Sequence, residues 1–468
     1  MRFLNIFDQL SRGIVFLVSV ICSMYVGYST NHSGYDLLFL LPLVYGIVFV
    51  FFIAPILFKK TNMFIIIFTA ITFTRYVILP ASIVYSGWYG GRSMVPPLPL
   101  SYDLALKLMI YELIVATIFI YFLFKRLKNK NIRINNTITL PQNKSIYIIF
   151  IIISLVLLGI NPSALNSFAF IFPSESLTGL GANSILETLT TYCLMTSKFI
   201  IFLLFISTFY KKFILTNNKI YVMLSFITVL LNIIIIIGDN RSNFIITAIV
   251  SFILFYKLFP KHSKIPAVLI VIIILIMTSF ITTHRNTVTL TQGEEPAKDF
   301  TNTLQVYLGG PYNVAIATET AKQFPESRTM PNLFYDLTRP AIGFNIIMKN
   351  FEDQFDFSNY LFNRRIYSSD HAAQIIPMSG QGYFYFGFVF SPVLLLLFIG
   401  FVYFLLQTLY KQTNIELFFF LTIPITRIGF AMGQNAGILI NDATMFLLLN
   451  LFVFYLNKNI RIRPLKML

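Results

Sequence analysis

Residues 36–60 read DLLFLLPLVYGIVFVFFIAPILFKK. After Asp36 no charge occurs until Lys59 and Lys60. As a helix rising about 1.5 Å per residue, this run matches the roughly 30 Å hydrocarbon core of a bilayer. The lysine pair that closes it marks one side of the membrane. Similar runs recur along the whole chain, at about 13–29, 62–86, 103–124, 146–160, 185–209, 219–237, 243–256, 265–283, 383–409, 415–432 and 442–456. With 36–58 they make twelve expected spans. The runs at 146–160 and 243–256 are short for a span and would need less tilt or help from their flanks. The first run follows Arg2 and Arg12 as a signal peptide would, but has no small-residue cleavage site, and is read as retained.

Composition excludes the other classes. Of 468 residues, 56% are hydrophobic and 12% charged, against about a quarter charged in soluble domains. The 51 Phe and 25 Tyr exclude a disordered chain, and 2 Cys exclude a disulfide scaffold. A β-barrel would show alternating segments of about 10 residues, which are missing. Cys22 and Cys193 lie in apolar runs and act as small hydrophobes. The 4 His form no HExxH or HxxxH pair, so neither a metal nor another cofactor is expected.

The net charge of +16 is topological. Lys59, Lys60, the basic residues from Lys125 to Lys144, Lys211, Lys212, Lys219, Lys257, Lys261, Lys264, Lys411 and the tail from Lys458 to Lys466 fall in alternate connections, accompanied by Asp8 and Glu416. The short connections opposite hold Arg92, Lys107 and Arg241. This bias places both termini in the cytoplasm and points to lipid rather than nucleic acid as the partner of the charge. The expected fold is therefore all-α: a polytopic integral membrane protein of about twelve transmembrane helices.

Residues 284–382 interrupt the pattern. This long connection is external by parity and divides the chain into a nine-helix region (1–283), the loop itself, and a three-helix region with a basic tail (383–468). Asn302–Thr320 and Pro331–Asn350 pattern as short helices, the second broken at Pro340, and Phe351–Ile366 alternates aromatics with charges. Tyr307-Leu308-Gly309-Gly310-Pro311 reads as a helix break rather than a nucleotide loop. A loop of this length is commonly functional. The chain shows no internal repeat of the kind that transporter halves carry.

Four places put costly polar groups in or beside the membrane. Gly238-Asp239-Asn240-Arg241-Ser242 is either a tight turn or an anion site, since Arg241 would open a helix where a cation opposes the dipole. Asn363-Arg364-Arg365 with Asp370-His371, followed by Gly380-Gln381-Gly382-Tyr383, offers a guanidinium pair for a diphosphate and a nearby base, or else a solvated loop before an aromatic belt. Arg75 lies deep in the third span and Lys198 in the sixth; Arg75 could face a lipid-phosphate pocket, and snorkelling is awkward for Lys198. Arg427 with Asn441-Asp442 reads as a structural ion pair.

A multi-span chain with a Gly-x-x-Arg turn opening a helix and one large external loop late in the sequence resembles the Wzy-type polymerases of O-antigen and capsular polysaccharide repeat units, related in architecture to the O-antigen ligases. Residues 238–242 resemble that family's Gly/Ser-Arg helix start. His371 through Gly380-Gln381-Gly382-Tyr383 to Phe386-Gly387 resembles its closing pattern, in which the loop re-enters the membrane before a Gly-rich helix.

The resemblance implies a metal-independent, GT-C-like glycosyltransferase in the bacterial cytoplasmic membrane. Its donor would be a growing chain on undecaprenyl diphosphate, its acceptor a hydroxyl of the newly flipped lipid-linked repeat unit, and its neighbours a flippase and a chain-length regulator. Arg241, Arg364, Arg365, Arg75 and Arg339 are the candidate cations for the leaving diphosphate. His371, Asp370 and Asp239 are alternative bases. Gln381 and Tyr383 would contact substrate, and Tyr307, Tyr367 and Tyr383 could stack sugars. The competing expectation is a flippase or other polysaccharide transporter.

Overall fold

The computed structural model describes residues 2–59, 62–127, 138–141, 143–170, 185–237, 241–284, 293–368 and 374–460, with backbone alone at 2–7, 237, 241–242 and 278–284. The helices, in chain order, begin with α1 (Arg2–Ser29), α2 (Leu40–Lys59), α3 (Met63–Ser86), α4 (Pro99–Lys125) and α5 (Ser145–Ile160). Strand β1 (Phe168–Phe170) precedes α6 (Ile185–Thr216) and α7 (Ile220–Ile234). Strand β2 (Ile235–Ile237) precedes α8 (Arg241–Leu258) and α9 (Lys264–His284). Then come α10 (Pro296–Leu308), α11 (Pro311–Gln323), α12 (Met330–Thr338), α13 (Phe344–Met348) and α14 (Ser358–Tyr367). The last are α15 (Met378–Phe390), α16 (Val393–Leu409), α17 (Ile415–Ile428) and α18 (Ala436–Asn459).

The chain is an all-α protein of the multi-pass membrane type. Among the described residues, six helices (α1 from Asp8, α2, α3, α4, α6 and α18) are long and apolar enough to cross a bilayer, or seven spans if the bent pair α15–α16 counts as one. Each of the other apolar runs also lies mainly on helix. Two spans contain a π turn, Phe49–Ile53 in α2 and Thr74–Ile78 in α3. Such turns widen the helix by one residue and often mark function.

Two expected spans differ from the structure. The run 383–409 is not one helix: α15 and α16 meet at 103°. Gly387 has φ +71° inside α15, so the backbone leaves the helical region there, and Pro392, which has no N–H to continue a helix, follows before α16. The first turn of α15 folds close to that bend, and a Cβ on Gly382 would collide with the Ser391 carbonyl. The run 219–237 is helical only to Ile234. Its last three residues form β2, antiparallel to β1 with Phe168 opposite Ile237. An unbroken Ile run favours extended backbone, and Gly238 follows it.

The molecule comprises two compact units. The first contains residues 1–129, 288–407 and 427–442; the second contains 130–287, 408–426 and 443–468. This partition differs from the sequential division into 1–283, 284–382 and 383–468. The reason is α11. Nearly every side chain from Pro311 to Ala321 is buried, and the helix packs on α4 and α15. Its small residues Ala315, Ala317 and Ala321 allow close approach, and a Cβ on Gly380 would collide with Ala317. The centre of the long connection is thus part of the core of the first unit. The helix expected over Asn302–Thr320 is two helices, with Gly309 left-handed at φ +60° ending α10 and Pro311 opening α11.

Candidate functional site

The first unit holds a buried polar cluster centred on Asp336, a residue that sequence reasoning passed over. Asp336 is 3% exposed. One of its carboxylate oxygens, Oδ2, accepts from the Ser358 amide at 3.1 Å, the Ser358 hydroxyl at 2.5 Å, Gln381 Nε2 at 3.0 Å and the Tyr385 hydroxyl at 2.9 Å. A carboxylate with four donors is a strong tie, because each bond is charge-assisted. It joins α12, α14 and α15. Gln381 Oε1 in turn accepts from the Ala436 amide at 2.7 Å, adding the first turn of α18. Beside it, Asn359 Oδ1 accepts from the Ile376 amide and from Asn435 Nδ2. The only hint in the sequence is that Asp336 and Arg339 stand three residues apart on one helix face.

The expected cations divide by partner. Arg75 is enclosed rather than open to a lipid-phosphate pocket: it is 0% exposed, its Nη1 lies 3.0 Å from Glu112 Oε2, and its Nη2 donates to the Gly309 carbonyl at 3.0 Å. A charge in the apolar interior needs such a partner, and Glu112 supplies it from the next span. Arg365 is also neutralised. Its Nη2 lies 2.5 Å from Glu319 Oε2, and Nη1 reaches the Ser93 hydroxyl and the Val95 carbonyl at 3.4 Å. Glu319 further accepts from the Leu98 amide at 2.7 Å, so this pair fastens residues 93–98 to α11 and α14.

Arg339 and Arg364 are different. Neither has a carboxylate partner among the described residues. The Arg339 guanidinium stacks 3.8 Å from the Phe357 ring centroid, and its Nε is buried without a hydrogen-bond acceptor. Arg364 is exposed on α14, 6.0 Å from the Phe324 ring centroid. Tyr383 is half-buried against Ala321, Leu361 and Phe384. Tyr307 is 38% exposed, and the Tyr367 hydroxyl accepts from Gln374 Nε2 at 3.3 Å. Burial pushes the Tyr312 hydroxyl above its ordinary pKa, against hydrogen bonds from Ser93 and the nearby Arg365 guanidinium. Arg427 pairs with Asp442, the expected structural ion pair.

In the second unit, Arg241 is the first residue of α8. Lys198 of α6 donates to the Ile235 carbonyl at 2.6 Å, where α7 has given way to β2. The side chain thus donates to a carbonyl at the point where the helix ends. A small cavity there is lined by Lys198, Ile235, Asn243, Phe244, Thr247 and Phe446. Asp239, Asp370 and His371, the three alternative bases, lie outside the described residues. Arg241 belongs to the second unit, whereas Arg75, Arg339, Arg364, Arg365, Gln381 and Tyr383 belong to the first. Among the described residues no cluster of His, Cys, Asp and Glu has a metal-holding arrangement.

No family model, curated protein or solved structure matches the chain.

Proposed function

We propose that this protein is a metal-independent glycosyltransferase of GT-C type in the bacterial cytoplasmic membrane. On this reading it polymerises undecaprenyl-diphosphate-linked oligosaccharide repeat units into capsular or O-antigen-type polysaccharide at the outer face. Twelve spans then carry both termini in the cytoplasm and place residues 284–382 outside. The acceptor hydroxyl attacks the donor's anomeric carbon. A new glycosidic C–O bond forms as the C–O bond to the diphosphate breaks, and the hydroxyl proton passes to a base, for which His371, Asp370 and Asp239 remain the candidates.

The observation that carries this reading is the uneven pairing of arginines. Arg339 and Arg364 have no carboxylate partner among the described residues, whereas Arg75 and Arg365 are already neutralised. A departing diphosphate needs fixed cations. Of the candidate cations in the first unit, Arg339 and Arg364 are the two left to supply them.

The test is replacement of Arg241, Arg339 or Arg364 by alanine, followed by electrophoresis of the surface polysaccharide. Loss of long chains with single repeat units still exported supports polymerisation. Accumulation of unexported lipid-linked units would instead identify a flippase.

A further inference from the structure

Large apolar side chains are exposed in succession between Met330 and Phe351. Met330 and Phe334 on α12 are 66% and 62% exposed, and Phe344, Ile347 and Phe351 are 56%, 53% and 37% exposed. The first two are one helical turn apart. The last three, at i, i+3 and i+7 along α13 and the 3-10 turn Lys349–Phe351 that continues it, share one face. In water such a succession is an interaction surface. Exposed Lys349, Glu352 and Asp353 lie next to it and supply a polar border.

Contacts of this stretch fix its depth. Its Asp336 binds Gln381, which accepts from the amide of Ala436. Pro340 lies against Gly437, where an added Cβ would stand 3.5 Å from the proline ring. Ala436 and Gly437 open α18, one of the helices long and apolar enough to span the membrane. The end of such a span lies at the boundary between acyl chains and headgroups. The exposed face is therefore attached to the end of α18, the level at which a spanning α18 meets the headgroups.

We infer that residues 330–351 lie in the interfacial layer of the bilayer, with Phe334, Phe344 and Ile347 in contact with acyl chains and Lys349, Glu352 and Asp353 among headgroups and water. The partner is phospholipid, because the surface is continuous with the end of a helix long and apolar enough to span the membrane. This inference does not depend on the proposed reaction.

The experiment uses the full chain, with Cys22 and Cys193 replaced by alanine, in nanodiscs of phosphatidylethanolamine and phosphatidylglycerol. Nitroxides are placed singly through Phe334→Cys, Phe344→Cys, Ile347→Cys, Glu352→Cys and Asp353→Cys. Power saturation should give a several-fold higher ratio of oxygen to nickel-chelate access at the first three than at the last two. Equal ratios at all five overturn the inference, since the face then meets water. Exclusion of both reagents with spin–spin broadening also overturns it, since a second copy then covers the face. As a label-free measurement, Phe344→Trp in a Trp88→Phe background should be quenched by brominated phospholipid; absence of quenching counts against the inference.

Discussion

Arg75 and Glu112 meet at 3.0 Å with neither side chain exposed, and the same guanidinium holds the Gly309 carbonyl. One ion pair thus joins two spans to the break between α10 and α11. Arg75→Ala or Glu112→Gln leaves the other group buried without its charge partner, and each should cost about 3–5 kcal/mol. Arg75→Leu with Glu112→Leu should cost less than either alone. Thermal unfolding in detergent, followed by size-exclusion fluorescence, measures all three.

Asp336 is expected to hold the 284–382 segment together. Asp336→Ala strands Ser358, Gln381 and Tyr385 as donors, a loss of at least about 2 kcal/mol given the 1–3 kcal/mol cost of a buried unsatisfied group. Limited trypsin digestion should then cut after Arg328 and Lys349 faster than in the parent chain. An unchanged digestion rate would show that the cluster adds no stability.

Gly309 has φ +60°, and a Cβ there would stand 2.8 Å from Pro377 Cβ. Gly309→Ala should therefore destabilise by more than the roughly 1–2 kcal/mol of the left-handed backbone alone. Gly293 is the control: its φ is +89°, but an added Cβ meets nothing within 4 Å. The difference in melting temperature between the two alanine variants isolates the steric part.

On the proposed polymerase function, neighbouring Arg364 and Arg365 should separate that function from stability. Arg365→Ala breaks the pair with Glu319 and should lower both melting temperature and polymer length. Arg364→Ala removes an exposed, carboxylate-free cation and should shorten the polymer while leaving the melting temperature within about 0.5 kcal/mol equivalent of the parent, as surface changes usually do. Equal thermal losses in the two variants would refute this division.

The apolar helices were legible because each apolar run carries its own compositional signal. The Arg427–Asp442 pair was legible for a related reason: two charges too costly to leave alone in apolar surroundings lie 15 residues apart. Gly309-Gly310-Pro311 announced its break through backbone chemistry alone. Arg364 and Arg365 looked equivalent in sequence; only Glu319, 46 residues from Arg365, distinguishes them.

What the amino-acid sequence by itself determined, then, is the class of protein, the positions of its apolar helices and the strongest breaks between them. Tertiary structure alone decided that α11 belongs to a core, that Arg75 is enclosed, and that Asp336 is a hub. Its donors come from positions 22, 45 and 49 residues further along the chain. Local patterning reports how each segment meets lipid or water, whereas a buried hydrogen bond depends on which distant segments the fold brings within 3 Å of one another.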